Sequence, residues 1–356
     1  MPPTVSRPAP DIAVVTCMRN EGPYVVEWVA HLRALGVSRI LAFTNDCEDG
    51  TEALLDALAP EGVIHVPLGN IRDARGQRPQ WAALGQAWEH PALGDANWLL
   101  HMDCDEWLAV GALGSLGALI DACDYPDAIA LPWRLFGCDG QFTAQPNLTP
   151  ERFLRAAPER MAFPALGNFF KTLFRRDGPF TGFGVHRPRQ SEVPIFVDDT
   201  GRPDEGLATN PNRIILWRGR NQGADALVQL NHYSVRSVHE FLVKTERGLP
   251  NKSQKSIDLS YWIERNFNDR TCMKIGAQMP AIKKEYSRLM SMDHVATADK
   301  ASRTWHRDQL AQILSTPKGA KLCGHLVLAA RSVPPPTDIG RVLLAQYQAA
   351  QKGANA

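Results

Sequence analysis

The first 110 residues alternate short apolar runs with amphipathic segments, and this alternation constrains the fold more than any other feature. Residues 12–16 form an apolar run of the kind found in sheets buried on both faces, and residues 37–43 and 98–102 repeat it. Between the first two runs, Pro23 is suited to a helix's first turn and Gly36 to its end. Strands that alternate with helices predict a parallel α/β sheet of Rossmann-like order.

The rest of the chain divides into two further regions. Residues 111–232 have the pattern of strands joined by long loops, and residues beyond 235 are mostly helical, with a proline-rich bend at 332–336 before a short final helix. We therefore expect an α/β domain over 1–250 and a helical extension over 251–356. The extension carries 16 Lys and Arg against 8 Asp and Glu. A solvated helical face is the favoured interpretation, and peripheral contact with anionic lipid or an acidic glycan is the alternative.

Composition excludes several classes of protein. Hydrophobic residues make up 44% and charged residues 22%, which argues against disorder and coiled coil. The formal net charge of +1 gives no bulk attraction to polyanions, so we expect no nucleic-acid partner. No apolar run reaches the roughly 18–20 residues of a membrane span, and residues 1–8 lack a signal-peptide core. The seven cysteines show no CxxC spacing, so we expect reduced thiols in a cytoplasmic protein.

Two carboxylates directly follow the apolar run at 98–102. If the backbone is extended there, Asp103 and Asp105 point to the same face and Cys104 points away. Two like charges held close together need a cation between them, and hard oxygen ligands suit Mg²⁺ or Mn²⁺. Acidic pairs also occur on solvated loops, but the position after an apolar strand favours a site.

Several ordered motifs give the chain a family resemblance over about residues 11–250. The motifs are residues 15–21 (VTCMRNE), 45–51 (NDCEDGT), 98–106 (WLLHMDCDE), 167–175 (GNFFKTLFR), 231–237 (NHYSVRS) and 240–248 (EFLVKTERG). Together they resemble the glycosyltransferase family 2-like group of bacterial enzymes with the GT-A fold and a DxD motif. The resemblance implies a mixed Rossmann-like sheet flanked by helices, with the helical region as a C-terminal extension.

The resemblance also implies where a nucleotide-sugar donor binds. The donor would lie over the end of the first strand and against the loop after the second. The residues so implied are Thr16, Asn20, Glu21, Asn45, Asp46, Arg78, Gln80, Asp103 and Lys171. Asn45 and Asp46 are also ordinary turn formers, and Arg78 could simply begin a helix. Lys171 and Arg175 could meet phosphate charge, cap a strand or pair with an acid.

Metal and base assignments follow from the same resemblance. Asp103 and Asp105 would bind Mn²⁺ or Mg²⁺ together with a histidine, either His232 or His186. The resemblance favours an inverting transfer over a retaining one, and inversion needs a carboxylate base because the acceptor hydroxyl must lose its proton. Spacing does not choose among the three candidates, which are Glu106, Asp139 and Glu240.

The sequence thus predicts a metal-dependent glycosyltransferase acting in polysaccharide biosynthesis. It would move a sugar from a UDP- or GDP-sugar to a hydroxyl of a glycan or lipid-linked acceptor. A Mg²⁺-dependent nucleotidyltransferase is the alternative enzyme, although the chain has no glycine-rich phosphate loop. The alternative that is not an enzyme is a carbohydrate-binding protein with a transferase fold.

Overall fold

The computed structural model describes residues 9–68, 79–217, 225–247 and 257–354, and their mixed α/β architecture confirms the predicted fold class. The strands are β1 (Ile12–Met18), β2 (Val37–Thr44), β3 (Val63–Pro67), β4 (Trp98–His101), β5 (Glu106–Ala109), β6 (Ala128–Leu135), β7 (Arg155–Ala156), β8 (Phe170–Arg175), β9 (Phe180–Gly182), β10 (Arg189–Gln190), β11 (Phe196–Val197), β12 (Gln229–His232) and β13 (Arg270–Thr271). The three apolar runs of the sequence analysis correspond to β1, β2 and β4 within two residues at each end, whereas β5 was not predicted.

The helices flank the sheet and dominate the C-terminal third. They are α1 (Gly22–Ala34), α2 (Thr51–Ala57), α3 (Pro79–Glu89), α4 (Leu116–Ala122), α5 (Thr149–Arg152), α6 (Glu205–Thr209), α7 (Val238–Arg247), α8 (Leu259–Ile263), α9 (Met279–Met290), α10 (Asp293–Leu314), α11 (Pro317–Leu328) and α12 (Thr337–Ala354). The predicted helical C-terminal region is confirmed, although its final helix has 18 residues and is not short. The proposed domain boundary near residue 250 lies outside the described residues.

The main sheet has a parallel half and a mixed half. Its strand order is β3-β2-β1-β4-β8-β6-β12-β5, and β11 pairs with β6. Strands β3, β2, β1 and β4 run parallel, whereas β8 is antiparallel to both β4 and β6. Strand β5 does not extend β4 but pairs antiparallel with β12. The turn between β4 and β5 therefore connects the middle of the sheet to its far edge.

The parallel register brings three loops to one edge of the sheet. Met18 at the end of β1 pairs with Thr44 at the end of β2, and Val15 pairs with His101 at the end of β4. The segments after these strands contain the polar residues predicted to contact a donor. Ligand sites in open α/β sheets occur at such an edge.

Two hydrophobic layers cover the two faces of the sheet. Ile12 and Val14 of β1 pack with α1 and α2 residues, and Ala13 and Val15 pack on the opposite face with Leu84 of α3. This alternation follows from the two-residue period of a strand. Because β1 is buried on both faces, its continuous apolar run is explained.

Helix α1 begins and ends as the sequence predicts, and C-terminal helices pack against it. Pro23 lies in its first turn, and Gly36 lies just beyond its last turn with φ +89°, a conformation that favours glycine. Both α9 and α10 contact α1, and Leu289 and Val295 share its hydrophobic layer. None of the helices in the described ranges combines the length and apolar character needed to cross a bilayer.

Candidate functional site

The DxD motif lies in a turn, not on an extended strand. Met102 and Asp103 follow β4, Cys104 and Asp105 form the turn, and the amide of Glu106 donates to the Asp103 carbonyl at 3.0 Å. The expectation of an extended backbone here is therefore wrong, because the chain must reverse to begin β5. The side chain of Cys104 is buried among apolar residues, as expected. We call residues 102–106 the DxD turn.

Asp103 binds a buried lysine from the neighbouring strand. The ammonium of Lys171 on β8 donates to Asp103 Oδ2 at 2.9 Å, and Gln80 Nε2 on α3 donates to Oδ1 at 3.1 Å. His101 Nε2 lies 3.6 Å from the same Oδ1. The structure thus brings Gln80, Asp103 and Lys171 together, three of the residues that the family resemblance implied.

Asp105 binds a different lysine and a histidine. The ammonium of Lys244 on α7 donates to Asp105 Oδ2 at 2.8 Å and to the Ser234 carbonyl at 2.7 Å. His232 Nε2 at the end of β12 lies 3.4 Å from Asp105 Oδ1. Lys244 was not among the predicted site residues. Its position in the motif at 240–248 was the only indication in the sequence that Lys244 belongs to the site. Its pairing with Asp105 depends on a contact between residues 139 positions apart.

These ion pairs fix the protonation states of the turn. Burial raises the pKa of Asp103, but the Lys171 ammonium and His101 together outweigh burial and hold that pKa below its usual value. Burial likewise opposes ionisation of Asp105, yet Lys244 and His232 hold its pKa well below the usual value. Burial lowers the pKa of His232, although the Asp105 carboxylate opposes this, so the imidazole is neutral near pH 7. Both carboxylates are therefore ionised at neutral pH.

Glu106 is buried and forms hydrogen bonds that hold the DxD turn. It has no solvent exposure, and its Oε2 accepts from the Asp103 amide while its Oε1 accepts from Trp133 Nε1, both at 2.7 Å. Burial raises the pKa of Glu106 well above its usual value, although the Lys171 ammonium at 3.6 Å opposes this shift. Both carboxyl oxygens are engaged, so this side chain holds the turn in place.

The second candidate base, Glu240, belongs to an adjoining buried network. Arg152 donates to both of its carboxylate oxygens at 2.9 Å, Tyr24 Oη donates to Oε1 at 3.1 Å, and Ser237 Oγ donates to Oε2 at 2.5 Å. Burial opposes ionisation, but the Arg152 guanidinium lowers the pKa of Glu240 to about 2. The third candidate, Asp139, is half-buried, and its Oδ2 accepts from the Leu154 amide at 2.9 Å.

The residues implied for the nucleotide lie at the loops after β1 and β2. Thr16 is buried, and its hydroxyl has no hydrogen-bond partner in the structure. Asn20 Oδ1 accepts from the Glu48 amide at 2.8 Å, and Asn45 Nδ2 donates to Asp46 Oδ2 at 3.4 Å.

Glu21 faces the Arg236 guanidinium at 3.6 Å. Arg78 lies outside the described residues. Arg175 pairs with Asp127 and Asp177, which corresponds to the acid-pairing alternative for this side chain.

The side chains beside Asp105 include ligand atoms of the types that divalent cations bind. Asp105 offers an ionised carboxylate beside the neutral imidazole of His232, whose Nδ1 is buried with no hydrogen-bond partner. The other candidate, His186, instead bonds the Phe170 carbonyl through Nδ1 at 3.1 Å. Across the described ranges, no three His, Cys, Asp or Glu side chains already form a metal-binding group. A cation at Asp105 would therefore have to share that carboxylate with Lys244.

Comparisons with known proteins add two remote likenesses. No protein-family model matches the chain, and neither does any curated protein sequence. HddC from Yersinia pseudotuberculosis is 10% identical, with 53% of this chain and 90% of that chain covered and a TM-score of 0.27. The mannosyltransferase PcManGT from Pyrobaculum calidifontis, solved with GDP-Man and Mn²⁺, is 13% identical, with 90% and 86% covered and a TM-score of 0.27. Similarity at this level establishes neither a fold family nor an activity.

Proposed function

We propose that the chain is a nucleotide-sugar-dependent glycosyltransferase whose donor binds at the DxD turn. The observation that carries the proposal is the pairing of Asp103 and Asp105 with the buried lysines Lys171 and Lys244, at the edge where the parallel strands end. Side chains whose pKa is shifted by burial and by a specific charge partner cluster at functional sites, and ligands of open α/β sheets bind at this edge. The resemblance of the ordered motifs to family 2-like enzymes is the reason for proposing a glycosyltransferase in particular.

In the proposed reaction the two lysines stabilise the departing diphosphate. The bond between the anomeric carbon of the sugar and the diphosphate oxygen breaks, and its electron pair leaves on the nucleoside diphosphate. The acceptor hydroxyl forms the new bond from the opposite face, which inverts the anomeric centre, and gives its proton to a carboxylate base. Positive charge fixed beside the leaving oxygens stabilises this transition state without reorganisation.

Of the three candidate bases, Asp139 is the least engaged. Glu106 has no exposure, and both oxygens of Glu240 are held by charged or hydroxyl donors. A carboxylate with a pKa of about 2 is also a weak base at neutral pH. We therefore propose Asp139 as the base and assign positioning roles to Glu106 and Glu240.

Asp105 and His232 would hold the proposed Mn²⁺ or Mg²⁺, with Asp103 as the further carboxylate. When bound, the cation supplies Lewis-acid stabilisation of the diphosphate. We propose a UDP- or GDP-sugar donor, a glycan or lipid-linked acceptor and a cytoplasmic location. All seven cysteines are free thiols, which agrees with a reducing compartment.

The test is release of nucleoside diphosphate from a panel of UDP- and GDP-sugars with Mn²⁺. We expect one donor to be consumed, and Asp105→Ala to lose most of the activity while keeping its fold. Asp177→Ala is the matched control, because Asp177 is an exposed carboxylate paired with Arg175. Release of pyrophosphate from a nucleoside triphosphate and a sugar phosphate would instead establish the nucleotidyltransferase, and full activity in Asp105→Ala would refute the site.

A further inference from the structure

A cavity of about 230 Å³ lies beside the DxD turn, at the edge of the sheet where β1 and β2 end. Its walls come from the loop after β1, from α7 and from α10, which contributes Trp305 and Gln309. Lys244 forms part of the wall, and its ammonium is the group that binds Asp105 at 2.8 Å. Lys244 therefore borders both this cavity, which we call the Arg236 cavity, and the proposed reaction centre.

Arg236 is the most unusual residue in this wall. Its side chain is only 4% exposed, its guanidinium lies 3.4 Å from the centre of the Tyr24 ring, and Nη1 faces Glu21 at 3.6 Å. Its Nε and Nη2 are buried with no hydrogen-bond partner in the structure. Burying such donors unpaired is costly, so their presence in a cavity wall indicates a ligand that accepts from them.

The backbone of the cavity wall is strained at two positions. Arg236 has φ +55° and Asn20 has φ +51°, and neither is a glycine. Non-glycine residues with positive φ are uncommon and concentrate at ligand sites, where the surrounding structure holds them. The strain provides a second observation, independent of the unpaired guanidinium atoms, at the same wall.

The charges of the wall indicate the class of ligand. Three cations line the cavity, namely Arg19, Arg236 and Lys244. Four carboxylates line it as well, namely Glu21, Glu48, Glu240 and Glu246. An anionic ligand would meet these carboxylates, whereas hydroxyl groups both donate and accept and so satisfy both signs. Tyr24 and Trp305 add aromatic surface to the wall. The volume of the cavity is roughly that of eight water molecules, which is enough for one sugar ring.

We propose that the Arg236 cavity binds one neutral sugar ring of the acceptor. This inference rests on the proposed transferase function and deepens it, because it identifies the acceptor as a sugar and assigns it a site beside Lys244. Arg236 and the cavity carboxylates other than Glu240 bind the ring hydroxyls. The acceptor is therefore a carbohydrate at its reacting end.

The test is saturation-transfer NMR on the full chain with glucose, galactose, mannose and N-acetylglucosamine, and with glucuronate and inorganic phosphate as anionic probes. Gln309→Trp fills the cavity from a half-buried position on α10, and Asp308→Trp places the same bulk at the exposed neighbouring position. We expect at least one neutral sugar to bind, roughly tenfold weaker binding in Gln309→Trp, and unchanged binding in Asp308→Trp. Arg236→Lys, which keeps the charge and loses the planar fork, should also weaken binding.

The outcomes separate this inference from the proposed function. Absence of any neutral-sugar signal, or an unchanged signal in Gln309→Trp, overturns the acceptor cavity. Binding of only glucuronate or phosphate, lost in Gln309→Trp, also overturns it in favour of an anion site. Calorimetric titration of UDP and GDP in the same samples tests the donor site alone. Nucleotide binding without sugar binding would refute the cavity and leave the donor site intact.

Discussion

Replacing Glu240 by glutamine would leave the Arg152 guanidinium buried without its counter-charge. The pair is almost fully buried, with 5% and 9% side-chain exposure, and Arg152 contacts both carboxylate oxygens. Glutamine keeps the shape and one acceptor oxygen, so the variant removes the charge and little else. It also distinguishes a carboxylate that holds the fold from one that accepts a proton from the acceptor.

The pKa of Glu240 gives the size of the expected loss in unfolding free energy. It falls from 4.5 to about 2 in the folded state, because the Arg152 guanidinium outweighs the effect of burial. At about 1.4 kcal/mol per unit, the ionised carboxylate stabilises the folded state by about 3 kcal/mol. Removing one partner of a buried ion pair costs about 3–5 kcal/mol in general, which agrees. Because the folded-state pKa is the lower one, the stabilisation is complete above about pH 4.5 and is lost as the pH falls toward 2.

The assay is urea unfolding of the wild type and Glu240→Gln at pH 7 and pH 3. We expect a difference in unfolding free energy of about 3 kcal/mol at pH 7 and about 1 kcal/mol at pH 3. Glu246→Gln is the control, because Glu246 is exposed on the same helix, and it should change stability by less than about 0.5 kcal/mol. A stable Glu240→Gln variant with abolished transfer would refute the positioning role and identify Glu240 as the base.

Two further perturbations test the turn and the helix packing. Lys244→Met removes the cation that competes for Asp105, so we expect roughly tenfold tighter Mn²⁺ binding by electron paramagnetic resonance; weaker binding would show that the cation does not use this carboxylate. Gly22→Ala would place its Cβ 1.9 Å from Ser302 Oγ on α10 and should lower the melting temperature. The helical Gly324 has open space, so Gly324→Ala should stabilise by about 1 kcal/mol, and equal effects of the two changes would contradict the packing.

The parallel half of the sheet was predictable because its signals are local. Each strand there is an apolar run, and α1 carries its own start and end residues in Pro23 and Gly36. The helix after residue 235 was predictable for the same reason, since Val238, Phe241 and Leu242 fall on one face and are buried. Periodicity within one element needs no knowledge of the rest of the chain.

The remainder depended on contacts between distant segments. Strand β5 is four residues long and is defined by its pairing with β12, more than 100 residues away. The same pairing requires the chain to reverse after β4, which is why the DxD turn is not extended. The lysine on α7 that binds Asp105 looks in the sequence like any helix-surface cation, and only the packing of α7 gives it a buried carboxylate partner.

Burial also distinguishes the environments of the candidate carboxylates. Glu106, Asp139 and Glu240 are equivalent in a sequence, since each is an acidic residue near a proposed motif. In the structure Glu106 is fully buried next to the DxD turn, Glu240 forms an ion pair with the Arg152 guanidinium, and Asp139 is half-buried. These differences arise from tertiary packing, which determines each pKa.

The most direct test of the central claim is calorimetric titration of UDP and GDP into the wild type and Asp105→Asn, each with Mn²⁺ and with a chelator. We predict micromolar binding of one nucleotide to the wild type with Mn²⁺, and its loss both with chelator and in Asp105→Asn. If neither nucleotide binds the wild type, or if Asp105→Asn binds as tightly as the wild type, then the DxD turn is not the donor site.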